Sequence, residues 1–164
     1  MDNQRKAEYL TRLRAELTFF VSSTLDNAMR QLDGTSDTAS TDMLVPIVIH
    51  PAFFKGRKPA ETIFPNGEVI PTSTWKKVVL AIMADALQSE SMWQILLSQR
   101  GRVWGRNRVI LDASPKEMNQ PLELCEGLYL ETKFDTETLL YVLLERILHP
   151  IGYDPIGIRI LLRP

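Results

Sequence analysis

The segment with the clearest capacity for chemistry is residues 100–108, where arginines surround an aromatic side chain. It contains Arg100, Arg102, Arg106 and Arg108, together with Trp104 and glycines at positions 101 and 105. Guanidinium groups donate paired hydrogen bonds to phosphate oxygens, and an aromatic ring offers a flat face for stacking. We therefore predict that this segment binds nucleic acid, a nucleotide or another anionic, phosphate-bearing ligand.

A second basic group occurs earlier in the chain, at Lys55, Arg57 and Lys58. It would enlarge the binding surface if folding brings it close to residues 100–108. The formal net charge is only −1, so any anion-binding surface must be a local patch of the protein. The alternative interpretation is that the arginines are solvated or paired with carboxylates, and protect the edge of a sheet from aggregation.

A possible enzymatic site is formed by Asp112 and by the sequence Glu131-Thr132-Lys133, which follow two predicted strands. This pattern resembles the core of metal-dependent nucleases written PD-(D/E)xK. The resemblance implies that Asp112 and Glu131 would hold Mg²⁺ and that Lys133 would position water. Because Leu111 stands where that motif has proline, the nuclease is an alternative. The main prediction is a non-enzymatic accessory or regulatory protein with no catalytic residue, metal or cofactor.

Composition excludes several other classes of protein. The chain has one cysteine, Cys125, and two histidines, His50 and His149, which rules out an intramolecular disulfide and a Cys- or His-rich zinc site within one chain. No apolar run reaches the roughly 18 residues of a membrane helix, and the first residues do not resemble a signal peptide. We expect a cytoplasmic protein without a membrane partner.

Residues 5–32 are predicted to form one amphipathic helix, because apolar residues recur at steps of three and four. These residues are Leu10, Leu13, Leu17, Phe20 or Val21, Leu25, Ala28 and Leu32. The predicted organisation is a helix over 1–33, a polar linker over 34–43 and an α+β domain over 44–164. The apolar stripe either packs onto that domain or pairs with another copy or another protein. The second possibility gives an alternative function as a protein-interaction or assembly module.

The remaining pattern predicts an α+β fold with the order ββ-α-ββ-α-β, a mixed or antiparallel sheet and helices packed on one face. Pro46 places the strand at 44–49 on an edge, and Asn66-Gly67 turns a hairpin. Ser73 or Thr74 caps a helix that is interrupted near residues 89–91, and Asp135 caps the last helix. The predicted strands are 44–49, 60–64, 68–71, 108–111, 122–125, 128–131 and 157–162, and the helices are 75–97 and 136–148.

Three short sequences together resemble a module of uncharacterised bacterial and phage proteins. They are Gly-Leu-Tyr-Leu-Glu-Thr at 127–132, Gly-Tyr-Asp at 152–154 and Thr-Trp-Lys at 74–76, where a helix begins. The resemblance covers about residues 55–162. It implies an α+β module of prokaryotic or viral origin, and it implies no activity and no site.

Overall fold

A long N-terminal helix comes first in the computed structural model, which describes residues 3–32 and 42–163. This helix, α1, spans Asn3–Leu32, so the helix predicted for residues 5–32 is confirmed. Most of the linker predicted at 34–43 lies outside the described residues. None of the helices in the described ranges is long and apolar enough to cross a membrane.

The strands of the described residues form two antiparallel sheets of four strands each. They are β1 (Met43–Pro46), β2 (Lys58–Ile63), β3 (Val69–Pro71), β4 (Val103–Trp104), β5 (Val109–Asp112), β6 (Pro121–Cys125), β7 (Leu128–Glu131) and β8 (Arg159–Arg163). The first sheet has the order β1-β8-β2-β3 and the second has the order β4-β5-β7-β6. The predicted α+β class is confirmed, and β1 is an edge strand as predicted. The sequence pattern did not show that the strands divide between two sheets.

The helices begin at the residues that the sequence marked as caps. The hydroxyl of Thr74 accepts a hydrogen bond from the N–H of Lys77 at 3.3 Å, and the carboxylate of Asp135 accepts one from Thr138 at 2.8 Å. The later helices are α2 (Trp75–Ala86), α3 (Glu90–Ser98), α4 (Thr136–Tyr141) and α5 (His149–Ile151). A short 3₁₀ helix (Pro51–Phe54) follows β1, and a π-helical segment (Val142–Leu148) joins α4 to α5. The predicted interruption near residue 89 separates α2 from α3.

A single apolar core lies between the sheets and the helices. Helix α2 contacts both β2 of the first sheet and β6 of the second, so it joins the two sheets. The largest fully buried side chains are those of Ile47, Phe54, Ile82, Met83, Leu96, Ile110, Leu111, Leu128, Leu130, Leu140, Leu143 and Ile147. The same core also contains Val45, Ile160 and Leu162 of the first sheet, so the two sheets belong to one packed unit.

Helix α1 lies on this unit through a face that combines two ion pairs with the aromatic rings of Phe19 and Phe20. Arg12 forms an ion pair with Asp154. Glu16 forms a bidentate ion pair with Arg159, whose two N–O distances are 3.1 and 3.3 Å. The guanidinium of Arg159 also lies 3.9 Å from the ring centre of Phe19. These contacts fix which side of α1 faces the domain, and most of its leucines are consequently exposed.

Gly157 lies in the turn before β8, with φ of +96°, close to the ring of Pro65. We expect Gly157→Ala to lower the free energy of unfolding by about 1–2 kcal/mol for backbone strain and by about a further 1–3 kcal/mol for overpacking. The added Cβ would lie 2.9 Å from Cγ of Pro65. Gly127→Ala is the matched control, because Gly127 has φ of +72° but open space around it. Urea denaturation measures both, and equal losses would contradict the predicted clash.

Candidate anion-binding surface

Residues 100–108 form a short hairpin at the edge of the second sheet. A tight turn follows α3, in which Gly101 has φ of +70° and donates its N–H to the carbonyl of Leu111 at 2.8 Å. Strand β4 is the edge strand, and a second turn, closed by the N–H of Gly105 on the carbonyl of Arg108 at 2.9 Å, leads into β5. The arginines therefore lie at the two ends of this hairpin.

Trp104 presents an accessible ring from the edge strand. Side chains alternate along a strand, so Val103 points into the core while Trp104 is 54% exposed. The indole N–H donates to the carbonyl of Gly101 at 2.8 Å. This hydrogen bond restrains the orientation of the ring but leaves much of the ring open to a stacking partner.

Arg102 and Arg106 flank Trp104, and both are exposed. Within residues 3–32 and 42–163, neither side chain forms an ion pair. Their guanidinium groups are free of competing carboxylates at ion-pair distance. They remain available to bind phosphate oxygens.

Arg100 and Arg108 are used within the fold. The guanidinium of Arg100 donates to the carbonyls of Leu97 at 3.2 Å and Gly127 at 3.3 Å. Arg108 lies 3.8 Å from the buried carboxylate of Glu131. The four arginines of the segment therefore do not converge on one ligand, although they are close in sequence.

Arg146, which the sequence analysis did not select, joins the surface from the π-helical segment. Its guanidinium donates to the backbone carbonyl of Trp104 at 3.0 Å. Arg146 is 42 positions away in sequence and lies in an apolar helical pattern, so no local pattern indicated this contact. We call Arg102, Trp104, Arg106 and Arg146 the Arg/Trp surface, in which Arg146 holds the backbone of Trp104 while Arg102 and Arg106 are the available cations.

The earlier basic group lies in a different part of the molecule. Arg57 stacks over the ring of Phe53 at 4.4 Å and donates to its carbonyl at 2.9 Å, so this side chain stabilises the fold. Lys58 begins β2 in the first sheet, where it pairs with Arg163. No ion pair or side-chain hydrogen bond among the described residues connects this group to the Arg/Trp surface.

Lys55 lies near the start of α4. The pKa of Asp135 is lowered, first by the N–H of Thr138 and to a smaller extent by the charge of Lys55. This interaction associates Lys55 with the cap of α4. The structure therefore brings only part of the predicted binding set together.

Glu131, part of the alternative nuclease site, is fully buried at the end of β7. Its carboxylate accepts backbone hydrogen bonds from Asn119 at 2.6 Å, Lys133 at 2.8 Å and Gln120 at 3.0 Å. Both carboxylate oxygens thus have partners before any metal is considered. These contacts attach the segment before β6 to the end of β7, which favours a structural role for Glu131.

Asp112 lies on β5, opposite Tyr129, and its carboxylate accepts the N–H of Ala113 at 2.7 Å. In the part of the chain that the structure describes, no three His, Cys, Asp or Glu side chains are grouped so that they could hold a metal ion. Lys133 is exposed and contributes its backbone N–H to Glu131. The nuclease alternative stays a prediction, without a described metal centre to support it.

Comparison of the chain with protein-family models, with curated proteins and with solved structures found no match. The resemblance to bacterial and phage modules therefore stays a prediction.

Proposed function

We propose that the protein is a non-enzymatic accessory protein that binds single-stranded nucleic acid through the Arg/Trp surface. The observation that carries this proposal is the exposed ring of Trp104, restrained by its hydrogen bond to Gly101 and flanked by available arginines. Proteins that bind single strands combine aromatic rings, on which bases stack, with cationic groups that follow the phosphates.

The shape of the surface favours an extended strand over an enclosed nucleotide. Sites for small molecules are concave and bury most of their ligand. Two cavities among the described residues lie elsewhere, one along α1 and one lined by His50, Glu137 and Tyr141. A duplex is also a weaker fit, because its base faces are stacked on one another and are not available to Trp104.

Binding is expected to be local and sensitive to salt. The chain has 19 basic and 20 acidic side chains, so attraction comes from the Arg/Trp surface and not from net charge. Each phosphate contact with a single strand contributes a slope of about −0.7 to the logarithm of the binding constant against the logarithm of salt concentration.

The double variant R102A/R106A is expected to bind single-stranded DNA at least about tenfold more weakly than the wild type, because two charged hydrogen-bond donors are removed. Its salt slope is expected to be smaller by about 1.4. Trp104→Ala is expected to weaken binding by about 5- to 100-fold and to leave the slope unchanged, because stacking carries no charge. Fluorescence anisotropy of a labelled oligonucleotide across a salt series measures both quantities.

The matched control is K55A/K58A, which removes two exposed cations outside the Arg/Trp surface and is expected to leave binding unchanged. Duplex DNA, RNA and mononucleotides are measured alongside. The proposal is wrong if no strand binds at low salt, or if R102A/R106A binds like the wild type with its circular dichroism intact. Equal affinity for a mononucleotide would identify a small-ligand site instead.

A further inference from the structure

The apolar stripe of α1 has no partner among the described residues. We define the stripe as Leu10, Leu13, Leu17, Val21, Leu25, Met29 and Leu32. Leu13 is half-buried, and the other six side chains are between 43% and 86% exposed. An open groove of about 480 Å³ is lined by Leu10, Leu13, Leu17 and Val21. A contiguous apolar surface of this kind marks a site of protein association.

The docking of α1 keeps the stripe outside. The ion pair of Glu16 with Arg159 and the edge-to-face contact of Phe20 with Phe53 at 5.2 Å lie on another side of the helix. Turning the stripe inward would break both contacts and leave the carboxylate of Glu16, which is 9% exposed, without its partner. With α1 docked in this way, no part of residues 3–32 and 42–163 covers the stripe.

The stripe is complementary to itself in the antiparallel direction. Val21 is its centre, and the other positions are symmetric about it: Leu10 with Leu32, Leu13 with Met29, and Leu17 with Leu25. A second α1, rotated about a two-fold axis through Val21, would place each side chain of the stripe opposite another side chain of the stripe. Such a two-fold contact, made by the same surface on both subunits, is the commonest form of homodimer.

The length and period of the stripe also suit this pairing. Leu10, Val21 and Leu32 are eleven residues apart, a repeat close to the natural helical period, so the stripe stays on one side of α1. It covers about 33 Å of helix at 1.5 Å per residue. A pair of faces of this length falls at the lower end of specific interfaces, which bury roughly 1,200–2,000 Å² in total.

Charge distinguishes the two possible directions. Arg14 lines the groove beside the stripe. In an antiparallel pair centred on Val21 it faces Ala28, whereas a parallel pair in register would place it beside its own copy. Antiparallel helix dipoles add a smaller attraction. We propose that α1 pairs antiparallel with α1 of a second copy of this chain, centred on Val21, so that the protein is a two-fold dimer. This proposal does not depend on nucleic-acid binding.

Sedimentation equilibrium of the full chain tests the dimer. The wild type is expected to show twice the 18.7 kDa mass of one chain. Val21→Glu places two carboxylates at the axis and is expected to weaken dimerisation at least tenfold. Ala15→Glu, the matched control, adds the same charge to an exposed position of α1 away from the stripe and is expected to remain dimeric. A monomeric wild type at millimolar concentration, or equal effects of the two variants, would overturn the proposal.

Disulfide cross-linking tests the direction independently of any loss of folding. In a background with Cys125→Ser, chains carrying Leu10→Cys are mixed with chains carrying Leu32→Cys. The mixture is expected to form cross-linked dimers, while Leu10→Cys alone is not, because its two copies would lie at opposite ends of the pair. Efficient cross-linking of Leu10→Cys alone, or a mixture that cross-links no better than Leu10→Cys alone, would contradict the antiparallel dimer.

Discussion

Replacing Glu131 with alanine is expected to lower the free energy of unfolding by about 2–4 kcal/mol, because it removes a charged acceptor whose hydrogen bonds each contribute roughly 1.5–3 kcal/mol. The substitution removes the acceptor for three backbone N–H groups, of which those of Asn119 and Lys133 bind at 2.6 and 2.8 Å. Asn119, Gln120 and Lys133 are exposed, so water can replace part of what their N–H groups lose. Urea denaturation followed by circular dichroism measures the change.

The matched control is Glu126→Ala in the exposed turn between β6 and β7, where a change within about 0.5 kcal/mol is expected. Glu131→Gln keeps the shape of the side chain but turns an NH₂ donor towards backbone N–H groups. The free energy of unfolding of Glu131→Gln is therefore expected to lie between that of the wild type and that of Glu131→Ala. A loss below about 1 kcal/mol for Glu131→Ala would show that the carboxylate does not stabilise this region.

The same carboxylate is expected to make stability depend on pH. Burial by itself raises the pKa of Glu131, but hydrogen bonds from backbone N–H groups outweigh burial and leave the pKa below its ordinary value. The donors are those of Asn119, Lys133, Gln120 and Thr132. Because the folded pKa is the lower one, the charge stabilises the protein above the unfolded pKa of about 4.3, and this contribution is lost as pH falls through the folded value.

The stability advantage of the wild type over Glu131→Gln is therefore expected to be largest near pH 7 and to shrink below about pH 4.3. Urea series at several pH values between 7 and 3 measure this difference, since glutamine does not titrate. An advantage that grows as pH falls would contradict the assigned direction of the pKa shift.

The parts of the fold that could be predicted depend on neighbouring residues. Gly67 has φ of +88° at the end of the hairpin loop between β2 and β3, a left-handed position that glycine favours in three-residue loops. Thr74 and Asp135 cap α2 and α4 through hydrogen bonds that reach only three residues along the chain. Local chemistry was sufficient to indicate each of these features.

Strand order could not be predicted in the same way. Strand β8 lies between β1 and β2, so Ile160 pairs with Val45 on one side and with Thr62 on the other. Both partners are about a hundred residues away in sequence, and several strands have a similar apolar pattern. The alternation of apolar and polar residues identifies a strand, but it does not specify which strands lie beside it in the sheet.

The same limit applies to the candidate site. The arginine-rich segment indicated a cationic surface, but Glu131 engages Arg108, and Arg146 is added from a distant helix. For α1, periodicity identified the stripe, while the pairing of Glu16 with Arg159 determines that another side of the helix faces the domain. Each outcome follows from a contact between residues far apart in sequence.

An aromatic chain of edge-to-face contacts joins α1, the 3₁₀ helix and α2. The ring centres of Phe20 and Phe53 are 5.2 Å apart, those of Phe53 and Phe54 are 5.8 Å apart, and those of Phe54 and Trp75 are 5.2 Å apart. Of the two rings in the middle of this row, Phe54 is fully buried and Phe53 is half-buried. The indole N–H of Trp75 also donates to the carbonyl of Arg57 at 2.9 Å. Phe54 is therefore the member whose loss would affect the whole group.

Phe54→Ala is expected to lower the free energy of unfolding by about 3–5 kcal/mol, because it removes a buried ring and leaves a cavity. The edge-to-face contacts with Phe53 and Trp75 add to the loss. Urea denaturation is followed by circular dichroism, since tryptophan fluorescence would report the altered surroundings of Trp75. Tyr141→Ala removes a ring that is 51% exposed and is expected to cost far less. Equal losses for the two variants would show that Phe54 does not connect the helices, and that the remaining core contacts hold them without it.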